Sequence, residues 1–302
     1  MKLKIQHHLT LMAFIVATLL GGNNAIAVRY SNVEIPPFFG AAIRFTAASL
    51  MLFVLVFSLH LPLPKGRSLL GAMIYGVLQF GISYAFMYRS LLDVPAGLFQ
   101  VVLSIVPLFT FLFAIAHHQE PFQWRILGGS LIAVSGIAII FHSQISVNVP
   151  IFSLVSIILA AMCIAEAGVL YKKFPKSHPI TTNAIGMAVG SGILFMGSWL
   201  FNETPQVPVL PRTWISVLYL VVFGSVGMFV LVLYVLTHWT ASAASYQLVL
   251  MPIVTILMAA LIAQENVTIE SLVGGFAVLT GVYIGALMPS SRIHSTASMD
   301  NR

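Results

Sequence analysis

Between Leu91 and Ile140 the chain reads LLDVPAGLFQVVLSIVPLFTFLFAIAHHQEPFQWRILGGSLIAVSGIAII, and 145 residues further on much of this pattern returns. Leu91, Ala96, Leu103, Pro107, Thr110, Leu112, Ala114, Gln119, Glu120, Gly129 and Gly136 fall on Leu236, Ala241, Leu248, Pro252, Thr255, Leu257, Ala259, Gln264, Glu265, Gly274 and Gly281 without a gap. Each copy reads as an apolar helix interrupted near its middle by proline, a short polar turn ending in Gln-Glu, and a glycine-punctuated apolar helix. Duplication within one chain predicts two structurally similar halves.

The remaining sequence says what surrounds those halves. Of 302 residues 59% are hydrophobic and 7% charged, with a mean hydropathy of +0.99. A soluble domain carries about 25% charged residues, so this chain cannot cover a water-facing surface and is read as an integral membrane protein. Its apolar runs reach the ~20 residues that a helix needs to cross a bilayer. The net charge of +6 is scattered among short loops rather than gathered on one face, which argues for orientation in the membrane and against nucleic acid as a partner. Cys163 has no partner cysteine and lies in an apolar run, so it reads as a small core residue. Lys2, Lys4, the apolar stretch Leu9–Leu20 and the triplet Ala25-Ile26-Ala27 resemble a signal peptide. The same stretch is also the first span of a polytopic chain, and retention is the expectation.

Apolar runs separated by polar or proline-containing turns predict ten spans, at 9–28, 36–59, 68–90, 95–116, 122–141, 151–171, 180–200, 213–237, 241–263 and 269–288. With the N-terminus cytoplasmic, inner segments hold Lys2, Lys4, Lys65, Arg67, Arg125, Lys172, Lys173, Lys176, Arg292 and Arg302. Outer segments hold only Arg29, Arg89 and Arg212. This bias places both termini in the cytoplasm. The repeat offset carries the fourth and fifth spans onto the ninth and tenth, so each half has five spans. An odd number turns the second half over. The expected fold is an all-α integral membrane protein of about ten transmembrane helices in two inverted five-helix repeats, 1–147 and 148–288, followed by a flexible polar tail, 289–302. Many secondary transporters are built from such inverted repeats.

The stretch VPAGLFQVVLSIVPLFTFLFAIAHHQEPFQWRILGGSLIAVSGIAII, from Val94 to Ile140, resembles the EamA-type members of the drug/metabolite transporter superfamily. So does its echo from Thr240 to Gly285, TASAASYQLVLMPIVTILMAALIAQENVTIESLVGGFAVLTGVYIG. Arg44, in PPFFGAAIRFTAASL, stands where family members carry an arginine in the second span. The chain departs from the family in its first span, where Gly21-Gly22-Asn23-Asn24 replaces the usual Trp-Gly pair. The resemblance implies a secondary carrier of the inner membrane that exports amino acids or related metabolites, with proton coupling as one option. It also implies a substrate path surrounded by the first, third, fourth and sixth spans and their symmetry mates. A passive facilitator is one alternative, and a membrane enzyme or assembly factor on the same scaffold is another.

Several residues could carry chemistry. Pro107 and Pro252 each remove a backbone hydrogen bond, so they could shape a cavity or act as hinges; prolines are also ordinary in membrane helices. Glu120 and Glu265 read as turn-setting residues, each suited to the start of the next helix, with gating or proton coupling as the alternative. Glu166 lies inside the sixth span. An ionisable group at that depth faces a cavity or a partner, here a substrate or proton site, or else Lys172 or Lys173. Arg44 could anchor an anionic group such as a carboxylate, or cap carbonyls and snorkel outward. Asn23, Asn24, Tyr75, Gln79, Tyr84, Gln100, Tyr246 and Gln247 complete the substrate-binding expectation, although each alone could be an interhelical contact. The glycine stripes, including the pair Gly186 and Gly190, suit helix packing within a half or between the protomers of a homodimer. No phosphate loop, no metal-ligand pattern and no nucleophile motif is present, so no cofactor, no metal site and no enzymatic activity are expected.

Overall fold

The computed structural model describes residues 2–142, 149–262 and 268–288. Glu265 and the tail 289–302 lie outside the described residues. The chain is 81% helical, with no strand among the described residues. Among the described residues eight helices are long and apolar enough to cross a membrane: α1 (Gln6–Ser31), α2 (Pro37–Ser58), α3 (Arg67–Asp93), α4 (Leu98–Ala116), α6 (Ile151–Tyr171), α7 (Pro179–Leu200), α8 (Pro211–His238) and α10 (Ile269–Leu287). Two shorter apolar helices, α5 (Trp124–Ile140) and α9 (Ala241–Val254), complete ten spans.

Proline marks where many of these helices begin. Pro37, Pro179 and Pro211 occupy their first turns, where a missing N–H costs nothing, and Pro95 and Pro150 stand just ahead of others. At the far ends of α2, α4 and α7 the chain turns through left-handed residues, His60, His118 and Asn202, which stop the helix. Outward faces carry bare apolar groups such as Ile151, Ile269 and Phe276, each more than three-quarters exposed, as lipid contact requires.

The inversion is visible where α5 meets α10. A Cβ on Gly129 would lie 2.7 Å from the Gly281 carbonyl oxygen, and one on Gly281 would lie 2.5 Å from that of Gly129. Gly136 and Gly274 make the same reciprocal approach, at 2.6 and 2.5 Å. The early glycine of each helix therefore meets the late glycine of the other, so the fifth helix and its copy run antiparallel. The pair Gly186 and Gly190 is likewise used inside the chain, against Gly76 and Phe80 of α3. These stripes join helices of one chain and are not free for a second protomer.

Two carboxylates tie loops at the end opposite the lysine-rich loops. Glu203 accepts the N–H groups of Phe38 (3.1 Å) and Phe39 (2.8 Å) at the start of α2. Glu34 accepts from Val209 (3.0 Å), from Leu210 and from the Thr213 hydroxyl. The Thr213 hydrogen bond foremost, then those N–H groups and the Arg212 charge, outweigh desolvation and hold the Glu34 carboxyl below its ordinary range. A carboxyl lowered in the folded state stabilises above its unfolded pKa, and this is lost as pH falls through the folded value. Glu34→Gln should therefore lower the melting temperature at pH 7, with the gap to wild type closing below about pH 4. A gap that does not change with pH at all would count against an ionised Glu34.

Candidate substrate cavity between the two halves

Six of the described spans have irregular backbone, counting the π-helical turn Tyr283–Leu287 that ends α10. α1 breaks at residues 22–23, between the pieces Lys2–Gly21 and Asn24–Ser31. α3 and α8 each widen into a π-helical turn, at Val77–Ile82 and Val222–Gly227, and these turns are offset by the same 145 residues as the sequence repeat. α4 is interrupted at Ser104 and Ile105, and α9 at Tyr246. By contrast α2, α5, α6 and α7 are continuous. Non-helical backbone survives in a bilayer only where it is covered by protein or lines a cavity.

Such a cavity, of about 120 Å³, lies among α1, α3, α4, α6, α8 and α9. Its volume corresponds to roughly ten water-sized positions. Apolar groups such as Met87, Phe99, Leu103, Val232 and Leu248 make most of the wall. Among the sequence-predicted residues it brings together Asn24, Arg44, Tyr75, Gln79, Tyr84, Gln100 and Gln247. No acidic side chain is among its described lining residues.

Arg44 is the one residue that α2 contributes, and it is 1% exposed. Its Nε donates to Ser225 Oγ at 2.8 Å, Nη2 to the Gly224 carbonyl at 2.9 Å, and Nη1 to the Tyr88 hydroxyl at 3.3 Å. The guanidinium also stands 5.0 Å from the Phe45 ring centre and 5.3 Å from that of Tyr84. It thus caps a carbonyl in the π-helical turn of α8 rather than snorkelling outward. Asn24 Nδ2 donates to the same carbonyl at 3.3 Å, while its Oδ1 is buried without a hydrogen-bond partner. Gln247 presents a buried Nε2, also without one. A Cβ at 224 would lie 2.3 Å from Asn24 Oδ1, so a larger residue there would have to displace the Asn24 side chain.

Three residues expected in the site lie elsewhere. Asn23 occupies the break in α1 and is absent from the cavity lining. The Tyr246 hydroxyl donates to the Ile126 carbonyl (3.0 Å) and meets Ser130 Oγ (2.9 Å), pinning α9 to α5. Glu166 turns from the cavity, although its neighbours Ala165 and Gly168 line it, and meets His117 Nε2 at 2.6 Å. Its partner is thus a histidine of the α4–α5 turn, not Lys172 or Lys173.

The prolines and Glu120 also differ from expectation in detail. Pro107 sits in the first turn of the restarted helix Val106–Ala116; the chain breaks ahead of it because a proline ring clashes with the carbonyl four residues back. Pro252 stays inside Gln247–Ile262. Glu120 caps not the next helix but the start of α9, 122 residues away, accepting the Ser242 N–H at 3.2 Å together with the Ser242 hydroxyl. Sequence reading missed Gly224, Ser225 and Met228, because nothing in an apolar run announces a π-helical turn; the repeat of its position after 145 residues is visible only once both turns are known.

A polar-tipped cavity at membrane depth, enclosed by interrupted helices of two inverted halves, defines a membrane transporter. The chain belongs to the EamA-like transporter family, which matches residues 8–142 and again 151–286. An uncharacterized transporter of Archaeoglobus fulgidus is 24% identical over 85% of this chain and 91% of its own length. The uncharacterized inner membrane transporter YedA of Escherichia coli K12 is 24% identical, over 88% of this chain and 87% of its own. A probable amino-acid metabolite efflux pump of the same organism is 22% identical, over 89% and 92%. One crystal structure superposes with a TM-score of 0.75 at 14% identity, covering 92% of this chain and 96% of that one, a likeness of fold.

Proposed function

We propose that the chain is a secondary carrier of the inner membrane that exports a small carboxylate-bearing metabolite, such as an amino acid, by alternating access of its two halves. The observation that carries this reading is Arg44, a buried cation at the cavity wall with no acidic group in the described lining. A charge at membrane depth is costly, and a substrate carboxylate would supply the missing countercharge. Asn24 Oδ1 and Gln247 Nε2 offer an acceptor and a donor to the rest of such a molecule. Tyr75, Gln79, Tyr84 and Gln100 complete the binding wall, and the interruptions before Pro107 and Pro252 act as hinges. The cavity is built from one chain, so a homodimer is not required.

With ten basic residues on one side against three on the other, the lysine-rich end faces the cytoplasm, and both termini with it. Names given to relatives, an inner membrane transporter and an amino-acid metabolite efflux pump, agree with location and substrate class. Proton coupling runs through the pair Glu166 and His117 at that end. The test is counterflow in sealed proteoliposomes, screening labelled amino acids and simple monocarboxylates. Exchange should appear for one carboxylate-bearing class and fail for its amide. Equal exchange of acid and amide would remove the carboxylate from recognition, and no exchange of any metabolite would favour a non-transporting role for the scaffold. Accumulation driven by a pH gradient would exclude a passive facilitator.

A further inference from the structure

The turn after α4 is bonded to two helices at once, immediately below the cavity. His117 Nε2 meets Glu166 of α6 at 2.6 Å, and His117 Nδ1 meets Lys173 Nζ at the end of α6. Gln119 Nε2 donates to the Val169 carbonyl at 2.9 Å, and Glu120 caps α9 through Ser242. The residues so joined stand next to Gly168 and Ala241 of the cavity wall.

The protonation state of this arrangement follows from what each partner can do. An ammonium only donates, so with Lys173 charged Nδ1 must accept; a carboxylate only accepts, so Nε2 must carry the hydrogen. His117 is therefore neutral as bonded, and its one basic lone pair is occupied by Lys173. A proton arriving at Nδ1 has nowhere to go while the ammonium stays. We infer that His117 Nδ1 is the proton-binding site of this carrier, and that binding a proton there expels Lys173 and opens the clasp that holds the chain after α6 to the α4–α5 turn. The imidazolium keeps its bond to Glu166 and Gln119 its bond to Val169, so the turn stays joined to α6 while its hold on Lys173 is lost. The other titratable or charged groups at this end include His118 and Glu120 on the turn, Lys172, Lys176 and His178 between α6 and α7, Arg125 on α5 and His238 on α8. Of these, Glu120 and Lys172 interact with each other.

This inference deepens the proton-coupled reading above and rests on it for its role in transport, while the clasp itself can be measured without transport. A spin label at Pro175→Cys in a Cys163→Ser background reports the exposed turn that follows Lys173. Label mobility should rise several-fold as the sample is taken from alkaline to mildly acid pH. His117→Gln should abolish the rise and His118→Gln should leave it. A rise that survives His117→Gln, a rise lost in His118→Gln, or no rise in the parent protein would each overturn the inference. If the label responds as expected while uptake ignores the pH gradient, the clasp stands and the coupling reading falls.

Discussion

Gly281→Val is expected to leave little folded protein after detergent extraction, whereas Gly275→Val on the same helix should behave as wild type. A Cβ at 281 would lie 2.5 Å from the Gly129 carbonyl, 2.7 Å from the Ala133 nitrogen and 2.8 Å from the Ala133 Cβ, whereas at 275 it meets nothing within 4 Å. Two of the three obstacles at 281 are backbone, which cannot swing aside as a side-chain tip can. Overpacking a well-filled core costs typically 1–3 kcal/mol, and here α5 and α10 must separate as whole rods, so a loss of about 3 kcal/mol or more is expected. Because valine is placed in a helix in both variants, the propensity cost cancels between them. Size-exclusion profiles and melting curves of the two variants decide the matter: a monodisperse Gly281→Val with the melting point of Gly275→Val would mean the crossing is loose.

The second large effect belongs to Arg44. Arg44→Met should raise the substrate concentration for half-maximal counterflow by about 100-fold, since truncating one partner of a buried charge pair costs 2–5 kcal/mol. Arg44→Lys is not a conservative rescue. It keeps the charge but cannot serve Ser225, Gly224 and a carboxylate from one planar fork, so it should recover only part of the loss. A merely structural arginine would produce a different pattern, with melting temperature falling in both variants and the acid and amide forms of the substrate affected alike. Retention of full carboxylate preference in Arg44→Met would remove it as the anchor.

Much of the frame could be read from the residues alone. Spans, duplication and inversion follow from apolar runs, the repeat and an odd count, because length and hydropathy are nearly the only demands a bilayer makes. Cavity residues were legible in part. Polar side chains in apolar runs, such as Asn24, Gln79 and Gln247, must find a reason for their depth, and the cavity collects them. Tyr246 and Glu166 met the same demand differently, one with partners on another span and the other with a histidine of a turn, and sequence cannot distinguish a cavity from a partner. Glu120 reads as a turn residue from its position, but its bond to Ser242 depends on how the halves dock. Gly224 is the clearest omission: its importance lies in a carbonyl freed by backbone geometry, and a carbonyl has no letter in the sequence.

The reciprocal glycine contacts between α5 and α10 say something further about where this chain came from. Gly129 meets Gly281 as Gly136 meets Gly274, so each surface is a copy of the one it faces. That self-complementary pattern is how two identical subunits meet across a two-fold axis. A single five-helix unit carrying this glycine stripe had all it needed to pair with an inverted twin, and joining the two genes end to end would have left the contact unchanged. The crossing has the two-fold form of an interface between antiparallel copies, here inside one polypeptide. Arg44 and the broken first helix stand outside that symmetry, since their counterparts 145 residues on are Val189 and the unbroken α6.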